Sequence, residues 1–192
     1  MYGCMTLVVR KAYRVFLSPN PLGSQDKFAH AVSNLLSLNS LTAPAIELQA
    51  GEFEAVLNGK TLMAVAGDAE VIADGRRVEP WTAFFASEGV MIRSGATAYL
   101  SVRGLSAAAS GKLPVREGDA FSVQELNGIA DSDLRALRVP HTLRVANGDW
   151  LESVARVQRH IGMVLEAVRR GAEQVRVRLN GGEFEVWVLE LS

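Results

Sequence analysis

Between residues 45 and 104 the chain breaks into short apolar or alternating stretches that turn residues punctuate at close, even intervals. AIELQA, EFEAVL, TLMAVAG and AEVIA come first, separated by AGE, NGK and GD, and RRVEPW, TAFFA, VMIRS and TAYLSVRG follow. Segments this short suit strands rather than helices, and their regular spacing predicts an antiparallel sheet rolled into a closed or nearly closed barrel. Two dipeptides sharpen the pattern. Asn58–Gly59 and Asp74–Gly75 are hairpin signals, because both central positions of a tight two-residue turn need positive φ. TLVVRKAYRVFLS adds one or two β-branched strands near the start, and SPNPLG stops them with two prolines and a glycine.

One amphipathic helix interrupts this β pattern. In SQDKFAHAVSNLLSLN, Phe28, Val32, Leu35 and Leu36 recur at helical spacing with Ala31 beside them. Ser24 is expected to cap the helix and Asp26 to favour the positive end of its dipole. Lys27, His30, Ser33, Asn34 and Ser37 take the other side, expected to face water or a ligand. The helix is therefore expected over 24–38, covering one side of the barrel.

LSAAASGK, residues 105–112, is small and polar and reads as a break between lobes. The expected organisation is a barrel lobe over 1–104 and a second, smaller β/α lobe over 113–192. In the second lobe Glu117–Gly118–Asp119 reads as a turn and SDLRAL as a helical turn or two. A second long helix is expected from about Asp149 to Arg170. Asp149 and Glu152 make a capping-box pattern at its start, Leu151, Val154, Ile161, Leu165 and Val168 form its buried face, and Gly171 ends it. A hairpin around Asn180–Gly181 closes the sequence. The fold class is thus mainly β with two long helices.

Composition narrows the function classes. Of 192 residues 48% are hydrophobic and 21% charged, with a formal net charge of −1, so no overall basicity points to nucleic acid. No apolar run approaches the roughly 20 residues that cross a bilayer, and MYGCMTLVVRKAYR lacks the pattern of a secretory signal. With one cysteine no intrachain disulfide forms, and a cytoplasmic location is expected. Cys4 is placed in a mobile terminus without an activating base. The three histidines, His30, His141 and His160, lack ligand spacing and read as surface residues, so no metal site is expected. The phosphate-loop, dinucleotide, HExxH and GxSxG patterns are missing. Glu52 with Glu54, and Glu183 with Glu185, share strand faces two residues apart; each pair reads as acid/base groups, a cation grip or a solvated face. Tyr99 and Arg103, four apart near Trp81, suit either a small carboxylate or an arginine stacked on a ring.

The order of these segments resembles the biotin-dependent carboxyltransferase, urea-amidolyase-related family, which includes allophanate hydrolase subunit 2-like proteins and the C component of 5-oxoprolinase. The family's PPSGAMDPLALRLAN resembles NPLGSQDKFAHAVSN, matching Pro21, Gly23, Asp26, Ala29 and Asn34. AIEL places Glu47 on a family glutamate. ALTGAD…LDG…W resembles AVAGDAEVIADGRRVEPW through Gly67, Asp74, Gly75 and Trp81, and AYLAVAGG resembles AYLSVRG through Tyr99, Leu100, Val102 and Gly104. The segment AAASGKLPVREGD is similar to a later GR-x-L-x-x-GD element. A GSRST-like segment is missing after Gly104, Arg103 replaces a small residue, and the second half is shorter than in the family.

The resemblance implies a cyclophilin-like β-barrel and a shortened member of the family. It places Ser24 and Asp26 near substrate, where Tyr99 and Arg103, from the spacing reading above, are also expected to bind, and assigns Asn34 and Glu47 to hydrogen bonds that tie the helix to the barrel. Free N–H groups of the first turn are expected to receive an anion. No catalytic residue is assigned. The function implied is that of a C-type component of an ATP-dependent 5-oxoprolinase, hydrolysing a cyclic amide to glutamate with separate A-type and B-type partner proteins. ATP would sit at a complex interface, with no cofactor in this chain. Two alternatives stand beside it: a non-catalytic barrel binding a ligand or partner, or itself in a homo-oligomer, and a carboxyltransferase-like protein working on a small amide with a separate biotin carrier.

Overall fold

A computed structural model describes residues 4–107, 110–125 and 129–189. Part of the expected 105–112 break and the last residues of the closing strand lie outside the described residues. Within them the structure is mainly β, with antiparallel strands and three helices. The strands are β1 (Cys4–Ser18), β2 (Ala45–Leu57), β3 (Thr61–Ala73), β4 (Arg76–Val78), β5 (Ala83–Ala86), β6 (Gly89–Val102), β7 (Leu113–Pro114), β8 (Ala120–Gln124), β9 (Glu173–Leu179) and β10 (Gly182–Val188). The helices are α1 (Lys27–Leu36), α2 (Asp131–Ala136) and α3 (Trp150–Arg169), with 3₁₀ turns at Pro21–Gly23 and His141–Leu143.

Eight strands make one sheet in the order β4-β3-β6-β2-β1-β7, with β5 also on β3 and β8 also on β1; β9 and β10 form a separate hairpin. The sheet does not close into a barrel, which corrects the cyclophilin-like expectation. Its outer strands are too short to pair along their length. The β8 end approaches β6 and β3 through single contacts instead: Gln124 N donates to Arg103 O at 3.0 Å, Ser106 N to Ser122 O at 3.0 Å, and Thr61 Oγ1 to Gln124 O at 2.8 Å.

Several turn-like breaks in the sequence are irregularities inside long strands. AIELQA and EFEAVL form the single strand β2, whose pairing with β6 shifts between Gln49 and Glu52, where Ala50 has φ 50°. TLMAVAG and AEVIA form β3, which shifts between Gly67 and Ala69. β1 shifts twice against β2, with Arg14 at φ 53°. Such bulges bend and twist a sheet. The glycines there are sterically required. A Cβ on Gly51 would lie 2.2 Å from Tyr13 O, and Gly67 has φ +121° with Ala98 Cα 2.7 Å from the same position.

Asn58–Gly59 is not a hairpin. It carries the chain from β2 to β3, which lie on opposite sides of β6, and neither residue has positive φ. Asn58 Oδ1 instead accepts from Thr6 N at 2.8 Å. The hairpins at Asp74–Gly75 (φ 47° and 73°) and Asn180–Gly181 (φ 50° and 80°) are present, and Gly118, at φ 88°, lies in the expected turn before β8.

Two apolar clusters occupy the two faces of the sheet. Ile46, Leu48, Met63, Val65, Leu100 and Val102 point to one side with Leu7, Phe53 and Val123. Their sequence neighbours Ala45, Leu62, Ala64, Ala66 and Tyr99 point to the other, beneath α1 and α3. Period-two alternation therefore explains the continuous apolar run TLMAVA: both of its faces are covered. In the rest of β3, residues 67–73, burial alternates, because there one face meets water.

α1 is shorter than the expected 24–38, and its N-cap is Asp26 rather than Ser24. Asp26 Oδ1 accepts from Ala29 N at 2.9 Å, while Ser24 Oγ donates to Pro21 O at 2.7 Å. The expected solvent face is a second correction: His30, Ser33, Asn34 and Ser37 are fully buried, because the helix lies between the sheet and α3. His30 is thus no surface residue. α3 is capped by Asp149, whose Oδ1 accepts from Leu151 N at 2.8 Å. Its buried face runs through Ser153, Val154, Val157, Ile161 and Val164, leaving Leu151 exposed. The backbone of Cys4 is paired with Gln124 in β1 rather than lying in a mobile end. Among the described residues no helix is long and apolar enough to cross a membrane.

Candidate functional site

Tyr99 is the centre of the site. Alternation along β6 directs it, with Ser101, away from the inner cluster and under α1. Its hydroxyl donates to Glu47 Oε2 at 3.0 Å and accepts from Asp26 N at 2.9 Å. The phenol thereby locks the leading end of α1 to β2. Glu47 faces Tyr99 across the β2–β6 pairing, and both side chains are completely buried. Burial pushes the phenol pKa up, and the adjacent Glu47 carboxylate adds to the rise, so Tyr99 stays neutral and works as a donor.

A buried carboxylate needs compensation. Lys112 supplies it, with Nζ 2.7 Å from Glu47 Oε1, and Gln49 Nε2 donates to the same oxygen at 2.6 Å. Lys112 is partly exposed, so the pair runs from the interior to the surface. Above it Gln25 and Asp26 are exposed, and Thr97 Oγ1 donates to Gln25 Oε1 at 2.9 Å. The His30 ring lies 5.2 Å from that of Tyr99, and its Nε2 is 2.9 Å from Ala43 O. Burial holds the His30 pKa below the ordinary histidine value, against opposing contributions from Ala43 O and Glu47; Lys112 depresses it further.

A second set of hydrogen bonds continues along α1. Asn34 Nδ2 donates to Ala43 O at 2.7 Å, and Asn34 Oδ1 accepts a short bond from Ser101 Oγ. Ser37 Oγ donates to Ser101 Oγ at 2.8 Å. Asn39 Nδ2 reaches Val102 O at 2.9 Å, and Asn39 Oδ1 accepts from Gly104 N at 2.9 Å.

The structure brings Asp26, Tyr99 and Glu47 into one bonded group, with Ser24 two residues from Asp26 at the same helix start. Asn34 belongs to the adjoining set. Arg103 stands apart, beyond the end of β6. Its N–H donates to Leu62 O, its carbonyl accepts from Gln124 N, and its buried Nε has no partner among the described residues. The carboxylate of Asp26 already fills the start of α1, where an incoming anion was expected. Glu52 is ion-paired with Lys11 and with Arg93, at 2.9 Å in the second case, and these bonds hold its carboxyl below the usual range. Glu183 and Glu185 bridge to Arg176, Arg178 and Arg138. Among the described residues no group of His, Cys, Asp or Glu has the arrangement of a metal site.

Residues 20–111 match the family model described as carboxyltransferase domain, subdomain A and B. This segment, just under half of the chain, is similar to that carboxyltransferase domain. No curated protein matches the sequence. Solved structures share the fold. TTHA0988 superposes with a TM-score of 0.55 at 17% identity, covering 66% of this chain and 32% of that one. The Kluyveromyces lactis urea carboxylase gives 0.54 at 16% identity over 73% of this chain and 16% of that one. The K. lactis urea amidolyase gives 0.53 at 16% identity over 64% and 10%. The chain therefore spans a third or less of each of these three chains.

Sequence reasoning missed Lys112, Gln49, His30, Asn39 and Ser101. Lys112 had a signal: the Gly111–Lys112 pair stands where the GR-x-L-x-x-GD element has its glycine and arginine. His30 and Ser101 had none, because nothing local distinguishes a polar residue facing a covered sheet from one facing water.

Proposed function

We propose that the chain is a substrate-facing lobe of a carboxyltransferase-type assembly that acts on a small amide. More finely, it is a C-type component of an ATP-dependent 5-oxoprolinase, working with A-type and B-type partner proteins in the cytoplasm. The carrying observation is the Asp26–Tyr99–Glu47–Lys112 group within and beside the family-matched segment. It fixes the start of α1 so that the side chains of Ser24, Gln25 and Asp26 are presented at a rigid surface. A cyclic amide offers one N–H donor and one carbonyl acceptor, which the Asp26 carboxylate and the Gln25 amide complement. Arg103 is proposed as an outlying polar contact.

The ring amide is unreactive, so its opening needs ATP to activate the carbonyl oxygen and donors for the charge that develops. The chain's own residues do not fit a nucleotide at its two long helices. Asp26 and Asp149 cap α1 and α3, so a carboxylate already occupies each helix start that a phosphate would use. Nucleotide therefore belongs to the assembly, and this lobe's part is binding and orientation.

The test is to co-purify the protein with the products of neighbouring genes and assay ATP-dependent release of glutamate from 5-oxoproline. Asp26→Asn keeps a good cap while removing the charge, and is expected to lower turnover with little change in melting temperature. Arg103→Ala is expected to lower it less. A complete assembly that releases no glutamate removes the 5-oxoprolinase reading, and ATP use that depends on a biotin carrier replaces it with carboxyl transfer. One observation favours a non-catalytic lobe as second reading: the Tyr99–Glu47–Lys112 bonds are mutually satisfied, so none of these three residues is free to act as a base. A stable complex that turns over nothing, with or without the carrier, supports it.

A further inference from the structure

The second half of the chain forms a half-open cavity of about 710 Å³, outside the family-matched residues. This is within the roughly 300–1,000 Å³ of small-molecule sites. Its walls are the segment from α2 to Arg144, the side of α3 carrying His160 and Val164, and the ion-paired face of the β9–β10 hairpin. Alternation along β10 puts Glu183, Glu185 and Trp187 on that face together.

The charge on these walls is unbalanced. Four arginines (Arg135, Arg138, Arg144 and Arg176) line the cavity against two glutamates (Glu183 and Glu185). Arg138 is engaged, with one arm on Glu79 at 2.6 Å and the other on Glu185 at 2.8 Å. Arg176 shares Glu183 and Glu185. Arg144 differs from these two. Its Nε donates to Val139 O at 3.0 Å, which fixes the guanidinium plane, and among the described residues no carboxylate is bonded to its terminal nitrogens. It is half-buried, and burial together with the neighbouring Arg138 charge pushes its pKa down, against the opposing charge of Glu79, which is itself paired with Arg138. A half-buried, oriented cation with no carboxylate bonded to its terminal nitrogens among the described residues, in a cavity also lined by an indole, has the features of a recognition group.

We propose that this cavity binds a small organic oxyanion, a carboxylate or phosphate ester carrying a planar apolar ring, with Arg144 pairing the anion and Trp187 packing on the ring. The two sources of oxyanion are separated by experiment. The full chain is titrated with benzoate, phenyl phosphate, inorganic phosphate and benzyl alcohol at fixed ionic strength, reading tryptophan fluorescence and melting temperature. One of the two aryl anions is expected to quench saturably and to bind roughly tenfold or more tighter than inorganic phosphate or benzyl alcohol. Whichever does so assigns the anion. Arg144→Gln is expected to weaken it by roughly tenfold or more, and Arg144→Lys by less, since it keeps charge but loses the planar fork. Thr142→Trp, at an exposed position on the wall, is expected to block binding while leaving the melting temperature of the free protein unchanged. Trp187→Phe is expected to remove most of the quench and retain the thermal shift. The proposal is overturned if neither aryl anion binds saturably, if inorganic phosphate binds as well as phenyl phosphate, or if Thr142→Trp and Arg144→Gln both bind as the parent does. These outcomes are independent of whether the α1 surface takes a cyclic amide.

Discussion

Polar side chains lie inside the seam beneath α1, and apolar side chains lie outside on the β9–β10 hairpin. At the seam His30, Ser33, Asn34, Ser37, Glu47 and Ser101 are all buried. In the hairpin Val175, Leu179, Phe184, Val186 and Val188 are exposed along one face, with Phe184 at 55%. The difference shows that what decides burial is whether a third layer arrives and whether it satisfies the groups it covers. α1 and α3 cover the sheet, and the seam's side chains bond to one another and to Ala43, Val102 and Gly104. The hairpin satisfies its own backbone, and it meets the rest of the protein through the Arg138–Glu185 pair on its polar face and through contacts of β10 with α3. A lone two-stranded hairpin is marginal in water, so its attachment rests on a few partly exposed ion pairs, each a weak contributor.

The strongest way to break this comparison is at the apolar part of the seam. Phe28 is buried on α1, with its ring centroid 6.0 Å from that of Trp81. Phe28→Ala is expected to cost about 3–5 kcal/mol, measured by denaturant unfolding. A loss no greater than that of an exposed position would mean that α1 is not a structural layer.

Tyr99→Phe probes the polar part. It removes one hydroxyl and leaves the Asp26 N–H and Glu47 Oε2 without their partner. The expected loss is about 1–3 kcal/mol, and a domain of this size loses roughly 2–4 °C of melting temperature per kcal/mol. An unchanged melting temperature would show that water replaces the phenol there, contrary to complete burial.

Those two residues also show what was legible in the chain. The apolar spacing of Phe28, Val32 and Leu36 disclosed the helix, and Tyr99 and Glu47 were singled out through the order of their segments. The single long strands were hidden, because Ala50–Gly51 and Gly67 look like strand ends when they are bulges in continuous strands. Asn58–Gly59 misled for a related reason: a local turn signal carries no information about which strand slips in between. The buried polar side of α1 was illegible because covering it requires α3, more than a hundred residues later. Sheet closure, too, depends on how far β8 reaches past β1, which no local pattern encodes.

A pH titration sharpens the comparison from the seam's side. His30 has its pKa lowered in the folded protein, chiefly by burial, so the unfolded chain takes up its proton first. Its contribution is complete above the unfolded value of about 6.5 and is lost as pH falls from there toward the lower folded value. His160, also depressed by burial, adds the same sign. Stability is expected to fall on acidification through this window, and His30→Gln to flatten the slope, leaving the part due to His160. A slope unchanged by His30→Gln would mean that His30 is hydrated rather than sealed under α1.

The smallest effect is expected at the hairpin. Phe184 projects from the apolar face opposite the ion pairs, cross-strand from Val177, and more than half of it meets solvent. Phe184→Ser therefore removes a cross-strand contact worth roughly 0.2–1 kcal/mol, against the several expected for Phe28 in the seam. It leaves Arg138–Glu185 and the α3 contact in place, so the global unfolding free energy should move by less than about 1 kcal/mol while amide exchange within 173–188 speeds up. Comparable losses for Phe184→Ser and Phe28→Ala in the isolated protein would mean that the outward face of the hairpin is covered in solution, and the contrast between the two regions would then be one of which partner covers them rather than of whether they are covered.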